Sequence, residues 1–114
     1  MGNQSPNRRE TNVASTKRQY RSRIRIAADI LEIAKGGSRK TKIMYLGNLS
    51  FDLLQKYLGM LVNHGLIEVV ADPTKTYTAT EKGRRFLEDY QELQKYSTMV
   101  ESRKHALEKS LTTR

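Results

Sequence analysis

Basic and hydroxyl side chains cluster at the start of the second predicted helix, at Arg39, Lys40, Thr41 and Lys42. The first backbone N–H groups of a helix have no partner within the helix, and together with positive side chains they bind phosphate oxygens. This cluster therefore predicts a site that positions a phosphate backbone.

The third predicted helix carries polar side chains that suit the edges of nucleic-acid bases. Its leucines, Leu54, Leu58 and Leu61, follow helical spacing, which turns that side toward a core. On the other side, Gln55 has the chemistry to pair with adenine, and Lys56 with guanine or phosphate. The predicted nucleic-acid contacts of this helix are Ser50, Asp52, Gln55 and Lys56. A solvated face is the alternative interpretation of Gln55 and Lys56.

Further basic residues flank these two helices. Residues 1–25 hold seven Lys or Arg against one Glu, a net +6 out of +9 for the chain. We expect residues 1–20 to form a flexible arm along phosphates or a minor groove, with Arg21 and Arg23 also in contact. In a predicted hairpin loop, Thr74 and Lys75 are expected to touch the DNA backbone or minor groove. A functionless solvated leader is the alternative for the arm.

Patterns typical of catalysis or metal binding are missing from the sequence. His64 and His105 have no neighbouring ligands at metal-binding spacing, and the chain has no cysteine. Glycine-rich phosphate loops, nucleophile elbows and paired acid–base carboxylates are also missing. We therefore expect no enzyme activity, no cofactor, no metal and no small-molecule substrate.

Composition bounds the class of protein. A chain of 114 residues has room for one domain, and 37% hydrophobic residues with a mean hydropathy of −0.70 predict a small core. The net charge of +9 favours a polyanionic partner, although a basic ribosomal protein would share it. Because no apolar run approaches the roughly 18 residues of a membrane span, we expect no membrane association. The expected location is cytoplasmic and nucleoid-associated.

Capping and turn residues divide the chain into elements. Ser22, Ser50 and Thr80 are suited to begin helices, and the Gly47-Asn48 pair is suited to separate two of them. The predicted elements are helices over residues 23–35, 40–46, 51–64 and 81–110 and strands over residues 66–70 and 76–80. In the second helix, Ile43 and Leu46 are expected to supply the buried side.

The last predicted helix has a heptad repeat. Phe86, Leu93, Val100 and Leu107 recur every seven residues, and Tyr90 lies four residues after the first of them. Such a repeat is typical of a coiled coil, so a homodimer is expected. The predicted dimerisation residues are Phe86, Tyr90, Leu93, Val100 and Leu107. The repeat leaves parallel and antiparallel pairing both open.

Two stretches resemble a known family. Residues 57–68, with Gly65-Leu66-Ile67-Glu68 after a helix, and residues 77–83, Tyr-Thr-Ala-Thr-Glu-Lys-Gly, are similar to the helix end and return strand of winged-helix regulators. Residues 21–96 resemble small archaeal winged-helix proteins, among them basic chromatin-associated proteins. The resemblance implies an α+β, mainly α fold, in which a winged helix-turn-helix of three helices and a hairpin precedes a long C-terminal helix.

The resemblance also implies a double-stranded DNA-binding dimer with antiparallel C-terminal helices. The expected division is an arm over residues 1–20, a DNA-binding domain over 21–83 and a dimerisation helix over 84–114. Transcription regulation and nucleoid organisation are both compatible with it. A protein-interaction module built on the same fold, and RNA binding through the basic arm, are the alternative functions.

Overall fold

The computed structural model describes residues 21–71 and 73–112, in which helices and strands follow the predicted order. The elements are α1 (Arg23–Ile33), α2 (Lys40–Gly47), α3 (Phe51–Asn63), β1 (Ile67–Val70), β2 (Thr76–Ala79) and α4 (Glu81–Thr112). The predicted arm at residues 1–20, Asp72 in the hairpin loop, and residues 113 and 114 lie outside the described residues.

Hydroxyl side chains begin three of these helices, as predicted. The Oγ atoms of Ser22 and Ser50 accept hydrogen bonds from the N–H groups of the residues three positions later, both at 3.1 Å. Thr80 Oγ1 accepts from the N–H of Gly83 at 3.1 Å and donates to the carbonyl of Gly65 at 2.7 Å. Each cap satisfies an N–H group that has no partner within its helix. Thr80 also joins the start of α4 to the end of α3.

The hydrophobic core lies where all the elements meet. Its five largest fully buried side chains are Ile30, Leu31, Ile43, Leu54 and Ile67. They come from α1, α2, α3 and β1, and burying each one stabilises the fold by about 1.5–3 kcal/mol. The helical spacing of the leucines therefore identified the inner side of α3 correctly.

The expected burial of Leu46 is wrong, because its side chain is 55% exposed. The inner side of α2 consists of Ile43 and Gly47. A Cβ on Gly47 would lie 3.1 Å from a methyl carbon of Leu49, so the missing side chain lets Leu49 approach the helix. Leu49 is buried after a turn in which Asn48 has a positive φ of 53°. The close approach at Gly47 thus puts Leu49 in the place predicted for Leu46.

The hairpin is tied to the segment before α2. Strands β1 and β2 pair antiparallel, with Ile67 opposite Ala79. On the other edge of β2, Ser38 and Tyr77 form an isolated antiparallel bridge, and Ser38 Oγ donates to the carbonyl of Ile33 at 2.9 Å. The loop between α1 and α2 therefore lies beside the hairpin as a short third strand.

Only the first turns of α4 pack against the domain. Gly83 and Leu87 are buried, Phe86 and Tyr90 are half-buried, and every residue from Gln91 to Thr112 is exposed. Across the described residues, no helix is both long enough and apolar enough to cross a membrane. The remaining turns of α4 project from the domain as a free helix.

Candidate nucleic-acid interface

Exposed cations surround the N-terminus of α2. Arg39, Thr41 and Lys42 are exposed and Lys40 is half-buried. Arg39 occupies the N-cap position, and its side chain makes no capping hydrogen bond. Within residues 21–71 and 73–112, no carboxylate lies within salt-bridge distance of these three cations. The positive end of α2 and its flanking charges are therefore open to an anion.

The outer side of α3 is polar, as predicted. Asp52, Gln55 and Lys56 are exposed, while the leucines on the other side are buried. Apart from the neighbouring backbone of α3 itself, no atom of residues 21–71 and 73–112 lies within 4 Å of the position that a Cβ on Gly59 would take, so a ligand can approach the helix backbone there. Asp52 lies in the first turn of α3, where a carboxylate interacts favourably with the helix dipole. This local role accounts for an acidic residue on an otherwise basic side.

An open cleft of about 250 Å³ lies between α3 and the hairpin. Its lining includes Lys40, Gln55, Gly59, Asn63 and Val69. Asn63 and Val69 were not among the predicted contacts. Asn63 follows Gly59 by four residues and Gln55 by eight, and this spacing puts the three on one side of the helix.

The cleft connects the charges at α2 with the polar side of α3. We call the resulting surface the basic face and define it by Arg39, Lys40, Lys42, Gln55, Lys56 and Asn63. Two of its lysines lie over aromatic rings. The ammonium of Lys40 is 5.7 Å from the ring centroid of Phe51, and that of Lys56 is 5.6 Å from the ring centroid of Tyr57. These cation–π contacts hold both charges close to α3 without neutralising them.

Arg21, a predicted phosphate contact, makes several hydrogen bonds within the domain. Its guanidinium donates to Asp29 Oδ2 at 2.8 Å and to the carbonyls of Gly47 and Asn48 at 2.9 and 3.0 Å. The side chain is 21% exposed. Because the turn between α2 and α3 uses this charge, we assign Arg21 to the support of that turn.

Arg23 and Ser50 also make local contacts. A guanidinium nitrogen of Arg23 lies 3.7 Å from Met60 Sδ, and Arg23 lines an apolar groove of about 550 Å³ with Met60 and Phe86. This groove shares no lining residue with the cleft beside the hairpin. The hydroxyl of Ser50 caps α3. Neither residue therefore belongs to the basic face.

The hairpin loop carries the two remaining predicted contacts. Thr74 and Lys75 are exposed, and the carbonyl of Thr74 accepts a hydrogen bond from Thr76 Oγ1 at 3.4 Å. Both residues remain candidates for contact with a ligand that extends beyond the cleft.

The predicted dimerisation residues fall into two groups. Phe86 and Tyr90 pack partly against the domain core, whereas Leu93, Val100 and Leu107 are more than half exposed. An apolar hollow of about 310 Å³ on α4 is lined by the predicted Val100 and Leu107 and by four residues that were not predicted, Tyr96, Met99, Arg103 and Lys104. Tyr96 lies three residues after Leu93, a spacing that a heptad repeat also allows. We call Leu93, Tyr96, Val100 and Leu107 the apolar stripe.

Comparison with known proteins supports the predicted family and fold. A family model described as winged helix-turn-helix matches residues 20–98, which is more than half of the chain. Two uncharacterized proteins of Methanocaldococcus jannaschii are similar in sequence. One is 35% identical over 74 residues, 64% of this chain and 34% of that protein. The other is 32% identical over 78 residues, 68% of this chain and 77% of that protein. The match thus spans about a third of the first relative.

A solved structure has the same architecture. Sso10a-2, described as a DNA-binding protein from Sulfolobus solfataricus, superposes with a TM-score of 0.75 at 26% sequence identity. The superposition covers 82% of this chain and all of that one. The predicted fold, three helices and a hairpin followed by a long helix, is therefore confirmed, as is the similarity to archaeal proteins.

Proposed function

Because the chain belongs to the winged helix-turn-helix family, we propose that it binds double-stranded DNA through the basic face. The observation that carries this proposal is the group of exposed cations at the start of α2 and on α3, which have no carboxylate partner among residues 21–71 and 73–112. The structural similarity to a protein described as DNA-binding supports it further.

Affinity would come mainly from contacts to phosphate. Each phosphate that a lysine or arginine neutralises releases condensed counterions, a term that does not depend on base sequence. The open N-terminus of α2 adds backbone N–H donors and the positive end of a helix dipole to Arg39, Lys40 and Lys42. In this proposal α2 holds the DNA backbone and thereby orients α3.

Base recognition would come from α3, whose 13 residues fit a major groove. The first turns of a recognition helix usually face the bases, and Gln55 and Lys56 lie in the second turn. Gln55 is suited to adenine, and Lys56 to guanine or phosphate. The open space at Gly59 allows the groove wall to approach the helix closely. Thr74 and Lys75 would make secondary contacts from the hairpin loop.

We also propose that two copies pair through α4. The support is the apolar stripe, whose side chains are exposed over several turns of α4. Apolar side chains at such heptad positions usually pack against a partner helix. In the proposed division, residues 21–83 form the DNA-binding domain and residues 84–114 the dimerisation helix, with Leu87 contributing to the domain core. Antiparallel pairing would put the two domains at opposite ends of a rod.

A salt titration with duplex DNA tests the proposal. If the four cations of the basic face each neutralise one phosphate, the logarithm of the binding constant should fall against that of the salt concentration with a slope of about −3 to −4 per domain. Absent or salt-independent binding would contradict it and favour a protein-interaction module. Competition with structured RNA, using the chain with and without residues 1–20, distinguishes RNA binding by the arm.

Two biological roles are compatible with this proposal, and a binding measurement distinguishes them. A transcription regulator should prefer one site over random DNA by at least about a thousandfold, whereas a nucleoid-organising protein should coat DNA with little preference. Footprinting on genomic DNA distinguishes the two, because it reports both the target and the length of the protected segment.

A further inference from the structure

An exposed phenylalanine begins the helix that we propose to enter the major groove. Phe51 is the first residue of α3, and its side chain is 57% exposed. Among the residues that the structure describes, it belongs neither to the core nor to the hydrophobic residues packed partly against the core. Burial within the domain therefore does not explain a large apolar ring at this position.

The ring lies beside the basic face. Lys40, whose ammonium is 5.7 Å from the ring centroid, also lines the cleft together with Gln55. Gln55 follows Phe51 by four residues, so the two side chains are neighbours on the surface of α3. A duplex that meets Lys40 and Gln55 therefore meets the ring of Phe51 as well.

The chemistry of the major groove limits what such a ring can contact. Base edges present hydrogen-bond donors and acceptors there, and the apolar feature among the four standard bases is the C5-methyl group of thymine. Residues at the N-terminus of a recognition helix are the ones that usually reach these edges. We propose that Phe51 contacts this methyl group and gives the domain a preference for thymine at one position of its site.

This inference rests on the proposed DNA binding and adds a specificity-determining residue to it. A ring that contacted only phosphate or sugar would not distinguish thymine from uracil. A ring that docked another protein would not respond to the bases at all. Removing the methyl group from the DNA, rather than only the ring from the protein, therefore isolates the contact.

The test compares two duplexes of roughly 20 base pairs, about two helical turns. One contains only A·T pairs, and the other is identical except that uracil replaces every thymine. The full chain should bind the uracil duplex about fourfold more weakly for each methyl group contacted, which is the effect expected from losing the burial of one carbon. Phe51→Ala should bind both duplexes equally, at the level of the wild-type chain on uracil.

Two variants separate the methyl contact from other roles of the ring. Phe51→Leu keeps an apolar side chain and should retain part of the preference for thymine. Lys42→Ala should weaken binding to both duplexes by the same factor, because this lysine would contact phosphate and it is Lys40, not Lys42, whose ammonium lies over the Phe51 ring. A second pair of duplexes, C·G pairs with and without 5-methylcytosine, restores the methyl group without changing thymine content. The wild-type chain should bind the methylated form more tightly, and Phe51→Ala should bind both forms equally.

The outcomes distinguish this inference from the proposed function. Salt-dependent DNA binding with the same thymine-to-uracil ratio for the wild-type chain and Phe51→Ala would overturn the methyl contact and leave DNA binding intact. Equal binding of the wild-type chain to the methylated and unmethylated C·G duplexes would also overturn the methyl contact. Absence of any DNA binding by the wild-type chain would overturn both.

Discussion

Ser38 and Tyr77 exchange two backbone hydrogen bonds, with N–O distances of 3.0 and 2.8 Å. Ser38 directly precedes Arg39, the N-cap residue of α2, while Tyr77 lies in the middle of the hairpin. The cations at the start of α2 and the hairpin strands are therefore held at fixed positions relative to each other. In the proposed complex, a DNA contact at one of them would restrict where the other can contact the DNA.

Ser38→Ala should lower the free energy of unfolding by about 1–2 kcal/mol, because the carbonyl of Ile33 loses its hydroxyl donor at a buried position. Urea denaturation measures the change. Ser110→Ala is the matched control, since the hydroxyl of Ser110 donates to a carbonyl on the exposed part of α4. Equal effects of the two substitutions would contradict the structural role of Ser38.

Gly83→Ala should lower the free energy of unfolding by about 1–3 kcal/mol, because a Cβ at this position would overlap the carbonyl oxygen of Leu66 and press on Leu31. Gly59→Ala, in open space on α3, should instead stabilise the protein by up to about 1 kcal/mol through helix propensity. Thermal denaturation of both variants gives the comparison. A stabilising Gly83→Ala would mean that α4 does not pack closely on the corner after α3.

Arg21→Ala should lower the free energy of unfolding by about 1–2 kcal/mol, because three hydrogen bonds to Asp29 and to the turn before α3 are lost from a partly exposed site. Arg25→Ala should change it by less than about 0.5 kcal/mol, since Arg25 is more exposed and lies 3.9 Å from the same carboxylate. DNA affinity of the folded Arg21→Ala protein should stay near that of the wild type. A large loss of affinity with unchanged stability would restore Arg21 as a phosphate contact.

Replacing both Lys40 and Lys42 with Glu should weaken duplex binding at least about tenfold. It should also make the slope of the logarithm of the binding constant against that of the salt concentration less negative by about two. The matched control replaces Lys95 and Lys109 with Glu, which changes the net charge equally on the far part of α4. Fluorescence anisotropy at several salt concentrations measures both. Equal losses for the two double variants would mean that overall charge, and not the basic face, governs affinity.

Val100→Glu should separate the proposed dimer, because it puts a charge in the middle of the apolar stripe. Ser102→Glu adds the same charge about 200° around the helix and should leave the dimer intact. Sedimentation of the wild-type chain at micromolar concentration should give twice the mass of 13.1 kDa. A wild-type mass of one chain would contradict pairing through α4.

Local chemistry made most of the fold predictable. The caps at Ser22, Ser50 and Thr80 depend on interactions within a few residues, which can be inferred from residue type. The inner side of α3 followed from the spacing of its leucines.

Contacts between distant parts of the chain could not be inferred in this way. Arg21 reaches carbonyls 26 and 27 residues away, and Ser38 pairs with Tyr77 across most of the domain. In α2, the choice of Leu49 over Leu46 depends on the space left by Gly47. On α4, spacings of three and four residues both fit a heptad, so the repeat alone did not identify Tyr96, which lines the apolar hollow.

Because α4 is unbroken from Glu81 to Thr112, it also fixes the azimuth of each exposed side chain, that is, the direction around the helix axis in which the side chain points relative to the domain. One residue inserted beyond Tyr90 would turn every later side chain by about 100° and advance it by about 1.5 Å relative to the domain. Seven inserted residues would restore nearly the same azimuth at a greater distance. An insertion or deletion in this segment is therefore expected to change both the distance and the rotation of every later side chain relative to the domain.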